Sequence, residues 1–288
     1  MKTNSILVAL LITTLGFTAC SNEDDVNNSR KELKIETTID GVGNSNLKAV
    51  LNTDGSGSFD NGDIIYLEAY TSESGVTMGG SYAIGVETLY WDSYIQQLGS
   101  HEFDFSACYP SGFMSDLKDE GFNAATAANP DLLIARTKAR EGETVKLKFS
   151  HVMNKVVVKL SSNIYPTPQL ETASVSLKGL KSIAKFDNSY KVDLARSTGS
   201  DAYSPAIGAQ TSFIVAPQTL TEGTALLEIS LGASKYIYKV PTTLTKLESG
   251  KILTFNLSIS RDKVVLETNS ISEWDDQGQI DDNIVANN

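Results

Sequence analysis

Apolar and polar side chains alternate along residues 143–160, and this alternation constrains the fold more than any other feature of the sequence. Val145, Leu147 and Phe149 fall on one face of an extended chain, and lysines between them fall on the other. Successive side chains of a β-strand point to opposite faces, so the pattern predicts a strand with one buried and one solvated face. After a short break, apolar residues resume at 156–160.

Runs of the same kind recur along the chain, divided by spacers rich in turn-forming residues. Short strands separated by turns at a spacing of roughly 8–12 residues are typical of β-sandwiches, so we predict an all-β fold. Residues 115–128 are the one stretch whose pattern suits a short helix. The other predicted strands are residues 33–39, 63–70, 173–177, 212–215, 225–231, 235–240, 251–259 and 263–266.

A proline-rich break lies near the middle of the chain. Residues 165–168 read Tyr-Pro-Thr-Pro, which restricts the backbone and interrupts strand pairing. The chain is long enough for two average domains. We therefore predict two tandem β-sandwich domains, residues 33–161 and residues 162–274, and an acidic tail at residues 275–288. Asp pairs in the tail could chelate calcium, but an exposed acidic tail is the favoured interpretation.

The N-terminus has the composition of a bacterial lipoprotein signal. Lys2 provides a basic start, residues 6–15 form an apolar segment, and small residues precede Cys20. The apolar segment is shorter than the ~20 residues that a membrane-spanning helix needs. We predict that residues 1–19 are a signal peptide and that Cys20 is acylated, with palmitate as an expected lipid. The alternative is an ordinary secretory signal with an incidental cysteine.

Acidic residues follow Cys20 closely. Residues 21–25 read Ser-Asn-Glu-Asp-Asp and resemble the surface-export signal of Bacteroidales lipoproteins. The same composition suits a solvated, flexible tether, and the two interpretations are compatible. We therefore predict an acidic tether at residues 20–32 and a lipid-anchored protein displayed on the cell outer membrane.

Charge and cysteine content exclude two further features. The formal net charge is −11, which disfavours binding to nucleic acid because a phosphate backbone requires clustered Lys and Arg. Cys108 is the only cysteine besides Cys20, so a mature chain acylated at Cys20 forms no intramolecular disulfide. Stability must then come from core packing, for which a hydrophobic content of 41% is sufficient.

Residues able to do chemistry are scattered along the sequence. The two histidines, His101 and His151, are far apart and lack metal-ligand spacing. His151 lies between Phe149 and Met153 and is most simply a buried, hydrogen-bonded core residue. A Cys108–His151 dyad stays an open alternative, although a thiol in an apolar setting is usually inert. We predict no enzyme activity, no catalytic residue, no metal site and no cofactor.

Four motifs follow one another along the chain. They are Phe-Asp-Asn-Gly-Asp-Ile-Ile at residues 59–65, Phe-Asp-Phe-Ser-Ala-Cys-Tyr-Pro at residues 103–110, Asp-Leu-Leu-Ile-Ala at residues 131–135 with Val-Lys-Leu-Lys-Phe-Ser-His-Val-Met-Asn-Lys-Val at residues 145–156, and Ile-Ser-Glu-Trp at residues 271–274. In this order, and with the lipoprotein start, the chain resembles the Bacteroidales fimbrillin-like lipoproteins. The motifs also have physical roles, since their aromatic residues fill cores and Asn-Gly forms a turn.

This resemblance implies two β-sandwich domains of transthyretin-like build. Many fimbrillin-like proteins assemble into pili. In the polymerising members a protease cuts after a basic residue behind the first strand, and a strand of a neighbouring subunit fills the vacated groove. The function implied is that of a pilus subunit (anchor, tip or stalk) or an adhesin. The implied partners are other fimbrillin-like subunits, joined by strand exchange, and a ligand on a host or bacterial surface.

By this resemblance, the displaced strand is residues 33–39. The following loop, residues 40–58, contains one basic residue, Lys48, so the cut would fall between Lys48 and Ala49. Pilins of the family commonly carry arginine there, and an uncut surface loop is the alternative. Residues 279–285, a C-terminal candidate for a donor strand, are only partly apolar and carry two charges, which weakens a role as a polymerising stalk subunit.

Two other classes of function stay open. A glycan-binding surface lipoprotein for polysaccharide capture needs an aromatic platform, and Trp91 and Tyr94 are the best candidates. Exposure of these side chains would support that function, and burial would argue against it. A hydrolase would need two carboxyl groups in one cleft, about 5–10 Å apart, and no pair of the 35 Asp and Glu residues stands out.

Overall fold

The structure is a computed structural model, and it describes residues 30–40, 50–51, 57–71, 77–94, 102–112, 116–260, 264–273 and 277–280. These residues form β-strands, turns and two four-residue helices. The prediction of an all-β fold is confirmed. Within the described ranges, no helix has the length and apolar character needed to cross a bilayer.

One curved sheet surrounds a first hydrophobic core. The elements of this half are β1 (Ile35–Ile39), β2 (Val50–Leu51), β3 (Gly57–Ser58), β4 (Ile64–Tyr70), β5 (Thr77–Ala83), α1 (Trp91–Tyr94), β6 (Glu102–Tyr109), β7 (Phe122–Asn123), β8 (Leu133–Arg140) and β9 (Val145–His151). Eight strands join in the order β2-β3-β1-β9-β8-β6-β4-β5. Ile39 of β1 and Ile65 of β4 belong to the same core although their strands are well separated in this order, so the sheet curves around it.

Two further sheets enclose a second core. Their half contains β10 (Asn154–Ser162), α2 (Thr167–Leu170), β11 (Ser174–Leu177), β12 (Ile183–Ala184), β13 (Ala206–Ile207), β14 (Gln210–Val215), β15 (Gln218–Thr219), β16 (Ala225–Leu231), β17 (Ser234–Lys239), β18 (Lys246–Leu247), β19 (Lys251–Ile259), β20 (Val264–Glu273) and β21 (Gln277–Ile280). One sheet has the order β14-β10-β19-β20-β21 and the other β13-β11-β16-β17. Phe255 of β19 and Leu227 of β16 share the core, as in a sandwich of two sheets.

The alternating segment of the sequence forms β9. Val145, Leu147 and Phe149 are 0%, 1% and 0% exposed, while the lysines between them are exposed. The predicted strands at residues 225–231 and 251–259 coincide with β16 and β19. Alternation is a reliable signal here because each strand has one face on a core and one on solvent.

The helix expected at residues 115–128 is wrong for the described part of that range. A turn begins at Asp116, whose carbonyl oxygen accepts the N–H of Gly121 at 3.1 Å. Gly121 has a φ of +84°, and a Cβ there would meet the backbone oxygen of Ala184. The chain then continues as β7, which pairs with β12. This tertiary contact holds residues in a strand conformation although their local pattern suited a helix.

The predicted domain boundary at residues 161–162 lies at the C-terminal end of β10, within the five-stranded sheet. The second core also contains residues from well before this boundary, among them Cys108, Leu117 and Leu132. The division into two tandem domains stays a prediction.

Candidate functional site

Residues 31–40, called the β1 segment below, contain the strand that the resemblance assigned to displacement. β1 runs parallel to β9 over five residue pairs. At one end of this ladder Val145 N–H donates to the carbonyl of Lys34 at 2.8 Å, and at the other Asp40 N–H donates to the carbonyl of Phe149 at 2.8 Å. Main-chain hydrogen bonds do not depend on side-chain identity, so this ladder suits any extended segment with a compatible face.

Side chains of the β1 segment also fill the first core. Leu33 is 2% exposed and Ile39 is 3% exposed, and Ile35 packs against the same core. Burial of Leu33 and Ile39 stabilises the fold by roughly 3–6 kcal/mol in total. Without this segment, β9 would border an apolar groove.

The start of the β1 segment pairs with a second part of the chain. Trp91 N–H donates to the carbonyl of Lys31 at 2.9 Å, and Glu32 forms an antiparallel bridge with Tyr90. The β1 segment therefore connects β9 with the residues that lead into α1. Its removal would free backbone groups on both.

The residues predicted for lipidation and proteolytic maturation, Cys20, Lys48 and Ala49, lie outside the described residues. β1 ends at Ile39 and β2 begins at Val50. The roles of all three residues stay predictions.

The burial of Trp91 argues against its use in a glycan platform. Its side chain is 1% exposed, and its ring centroid lies 5.9 Å from those of Phe103 and Phe105. A sugar ring stacks on a free aromatic face, whereas this indole is enclosed by the first core. Tyr94 is the last residue of α1, and its side chain is not among those described.

His151 lies in the interior, and its prediction as a buried, hydrogen-bonded residue is confirmed. Its Nδ1 is 2.8 Å from Oδ1 of Asp131, and the two residues are 5% and 2% exposed. Polar groups are tolerated in an interior when they are paired, and this pair joins β9 to the residues before β8. We assign it a structural role.

Cys108 is buried, and its described hydrogen-bond partner is a backbone carbonyl. Its Sγ lies 3.7 Å from the carbonyl oxygen of Pro110, which it can approach as a weak donor. Among the residues that the structure describes, no group of three or more His, Cys, Asp or Glu side chains is placed to hold a metal ion.

Contacts between distant segments beside the second core were not indicated by the sequence pattern. β7 and β12 form a short antiparallel pair, and Phe122 of β7 and Ala184 of β12 both belong to the second core. Beside this pair, Lys185 Nζ donates to the carbonyls of Asp119 and Glu120 at 2.7 and 2.6 Å. Asn123 Nδ2 donates to Asp201 Oδ2 at 2.8 Å. Backbone pairing and side-chain hydrogen bonds thus connect segments far apart in sequence.

A turn at residues 187–191 forms a junction between the two cores. Tyr190 has a φ of +57°, an uncommon conformation for a residue with a side chain, and its hydroxyl donates to Glu68 Oε1 at 2.8 Å. Burial and this hydrogen bond raise the pKa of Tyr190. Arg136 Nη1 donates to the carbonyl of Ser189 at 3.1 Å. The run Asp-Asn-Ser at 187–189 is a turn signal, but nothing local to it identifies its partners.

The C-terminal strands contain the candidate donor segments. β20 pairs with β19 along its length, and β21 pairs with β20. Release of β20 as a donor strand would break the five-stranded sheet of the second core. β21 is the terminal strand of that sheet, and residues 281–288 lie outside the described ranges.

The fimbrillin-like family model matches residues 52–274 of this sequence. The chain belongs to the fimbrillin-like family. The family that the four motifs indicated is therefore confirmed. It comprises fimbrial and adhesin proteins, so the fimbrillin-like protein falls in a structural class of surface proteins rather than in a class of enzymes.

Solved structures share the fold at low sequence identity. A candidate cell adhesion protein from Bacteroides ovatus is 19% identical, with a TM-score of 0.60 over 86% of this chain and 99% of that chain. One from Bacteroides uniformis is 15% identical, with a TM-score of 0.57 over 86% and 100%. A fimbrial assembly protein from Parabacteroides distasonis is 9% identical, with a TM-score of 0.50 over 88% and 100%. These identities support a shared fold alone, and no functionally curated protein matches the chain.

Proposed function

We propose that this fimbrillin-like protein is a fimbrial subunit or adhesin that joins its assembly by β-strand addition. The β1 segment is the strand that leaves, and an extended segment of a neighbouring subunit replaces it on β9. The observation that carries the proposal is the unequal pairing of the two edges of β1. It has five paired residues on β9 but a single described pair, Ile39 with Gly57, on the side of β3.

The energetics favour replacement once the β1 segment is gone. The vacated ladder would expose backbone N–H and C=O groups of β9 beside the apolar side chains of the first core. An incoming strand restores both the main-chain hydrogen bonds and the burial that Leu33 and Ile39 provide in the complete chain. Filling the groove is therefore strongly favourable.

Release of the β1 segment needs one cut, because its C-terminal connection to the rest of the fold runs through residues 41–49 alone. Lys48 is the one basic residue in that connection, so a protease specific for basic residues would separate residues 20–48 from a chain that begins at Ala49. We further propose that acylated Cys20 holds the protein on the outer membrane until that cut. A subunit that keeps its β1 segment would stay anchored.

The N-terminus of the protein on its native cells tests this proposal. We expect intact mass and peptide mapping to find a chain that begins at Ala49 in assembled material, and acylated Cys20 in the precursor. A Lys48→Ala variant should retain the β1 segment and enter no polymer, whereas a Lys48→Arg variant should mature normally. Polymers made of chains that all retain residues 33–39 would contradict strand release.

A further inference from the structure

We infer that the groove left by the β1 segment selects an incoming strand with acidic residues on its outward face. The favoured strand would carry these residues at the positions that Glu36 and Asp40 occupy in the complete chain. The inference rests on the proposed release of the β1 segment and adds the chemistry of the partner strand.

The outward face of β9 is basic and faces acidic residues of the β1 segment. Lys148 Nζ lies 2.7 Å from Oδ2 of Asp40, and these side chains are 68% and 46% exposed. Lys146 is exposed and is the direct register partner of Glu36. Opposite charges on neighbouring strands of a sheet attract one another, and like charges in the same positions are destabilising.

The strand on the other side of β9 adds further positive charge. β8 exposes Arg136, Lys138 and Arg140 on its outward positions. Two of them have a described acidic partner on β6, where Glu102 is 3.1 Å from Lys138 and 3.7 Å from Arg140. The acidic group described beside Lys148 comes from the β1 segment instead.

Loss of the β1 segment would therefore remove the acidic groups described beside Lys146 and Lys148, whereas Lys138 and Arg140 of β8 would keep their acidic partner on β6. An incoming strand with outward lysines would meet like charges, and one with outward acidic residues would restore the lost pairs. Its inward positions, those of Ile35, Thr37 and Ile39, face the first core and call for small or apolar side chains. The ladder and the apolar face give general affinity, and the outward charges add discrimination between partners.

A charge-reversal cycle in the uncut, full-length chain tests the charge rule without requiring strand release. Glu36→Lys with Asp40→Lys, and separately Lys146→Glu with Lys148→Glu, should each lower the midpoint of chemical unfolding at low salt. The chain with all four changes should recover most of the loss, and high salt should shrink each effect. A fourfold variant that merely sums the two losses would overturn the inference.

Peptide exchange on the full chain cut after Lys48 then tests the partner strand itself. The probes are a labelled peptide of residues 33–40, the same peptide with Glu36→Lys and Asp40→Lys, and a non-binding control with Ile39→Asp. We expect the charge-reversed peptide to bind roughly fivefold more weakly at low salt. The Lys146→Glu, Lys148→Glu chain should reverse this preference.

The peptide experiment distinguishes the charge preference of the groove from strand addition itself. Equal binding of the native and charge-reversed peptides would overturn the inference and leave strand addition intact. Failure of every peptide, including the native one, to enter the cut chain would overturn the proposed function, and the inference with it.

Discussion

The described residues contain two parallel strand pairs, and these differ in how far the second edge of the first strand is also paired. β10 pairs with β19 over eight residue pairs, and its other edge pairs with β14 over six. β1 pairs with β9 over five, and its other edge has one described pair, to β3. The first strand of each half thus uses parallel pairing, and among the described residues β10 has extended pairing along both edges whereas β1 has it along one.

Both strands bury side chains in a core, and the difference between their second edges is what supports the proposed exchange of β1. Val156 and Val158 of β10 are 1% and 0% exposed, and removing them would break two ladders as well as the second core. Removing the β1 segment would break its ladder with β9 and its short contacts with β3 and with residues 89–91, and would leave β9 as an open edge that another strand can join. Both strands pair in parallel, so we expect the extent of pairing on the second edge, rather than strand direction, to decide which strand can leave.

The largest expected effect is in the second core. Phe255 is 0% exposed, and its ring centroid lies 5.2 Å from that of Tyr238. Phe255→Ala should lower the free energy of unfolding by about 3–5 kcal/mol, because it leaves a cavity between the two sheets. Denaturant titration measures this loss, and Lys159→Ala on the exposed side of β10 is the matched control. A loss close to that of the control would contradict a tightly packed second core.

A cavity-forming substitution in β1 should cost less free energy of unfolding and should affect a smaller part of the fold. Ile39→Ala should cost about 2–3 kcal/mol, since Ile39 is 3% exposed but lies where the sheet can relax. Hydrogen exchange should accelerate at the amides of β1 and β9, while those of β10 and β19 stay protected. Thr38→Ala, on the exposed face, is the control. Equal acceleration in both strand pairs would remove the distinction between them.

A buried tyrosine makes the second core sensitive to alkaline pH. Burial raises the pKa of Tyr203 to about 12 from an ordinary value of 10.0, and the N–H of Ala216 lowers it to a lesser extent. The folded state therefore keeps this proton longer than the unfolded state does. The resulting stability is complete below pH 10 and is lost as the pH rises from 10 to 12, by about 3 kcal/mol at most. Denaturation across this window should show the loss, and Tyr203→Phe should flatten it.

Substitution at the junction between the cores should change the free energy of unfolding least. Tyr190→Phe removes the hydrogen bond to Glu68 and should lower the free energy of unfolding by about 1–2 kcal/mol. Ser189→Ala is the control, because Ser189 contributes its backbone carbonyl, not its hydroxyl, to the bond with Arg136. If the two cores melt separately in calorimetry and Tyr190→Phe shifts neither transition, the junction does not couple them.

Strand positions were predicted well where the side chains of a strand alternate between a buried and an exposed face. The alternation at β9 and the runs at β16 and β19 place strands at residues that the structure also assigns. The family was indicated by four motifs, all of which lie within the matched range, residues 52–274. These signals are local, since each strand faces one core and one solvent layer and its side chains alternate accordingly.

Features that depend on distant partners were not predictable in the same way. The turn after Asp116 and the strand β7 exist because β12 approaches them, and residues 115–128 alone suited a helix. Trp91 was a candidate for an exposed platform, but Phe103 and Phe105 enclose it. The partners of Tyr190 and Lys185 lie 122 and 66 residues away in the chain.

The sequence by itself determined the all-β character, the family and the position of the first strand. Alternation, turn residues and motifs each involve residues that are close together in the sequence, so they can be recognised without knowing the tertiary contacts. Only the tertiary structure decided that β1 pairs mainly with β9, that acidic residues of the β1 segment face the lysines of β9, and that the turn at residues 187–191 bridges the two cores. Each of these depends on which strands become neighbours, and neighbours in a sheet are chosen by packing across the whole fold.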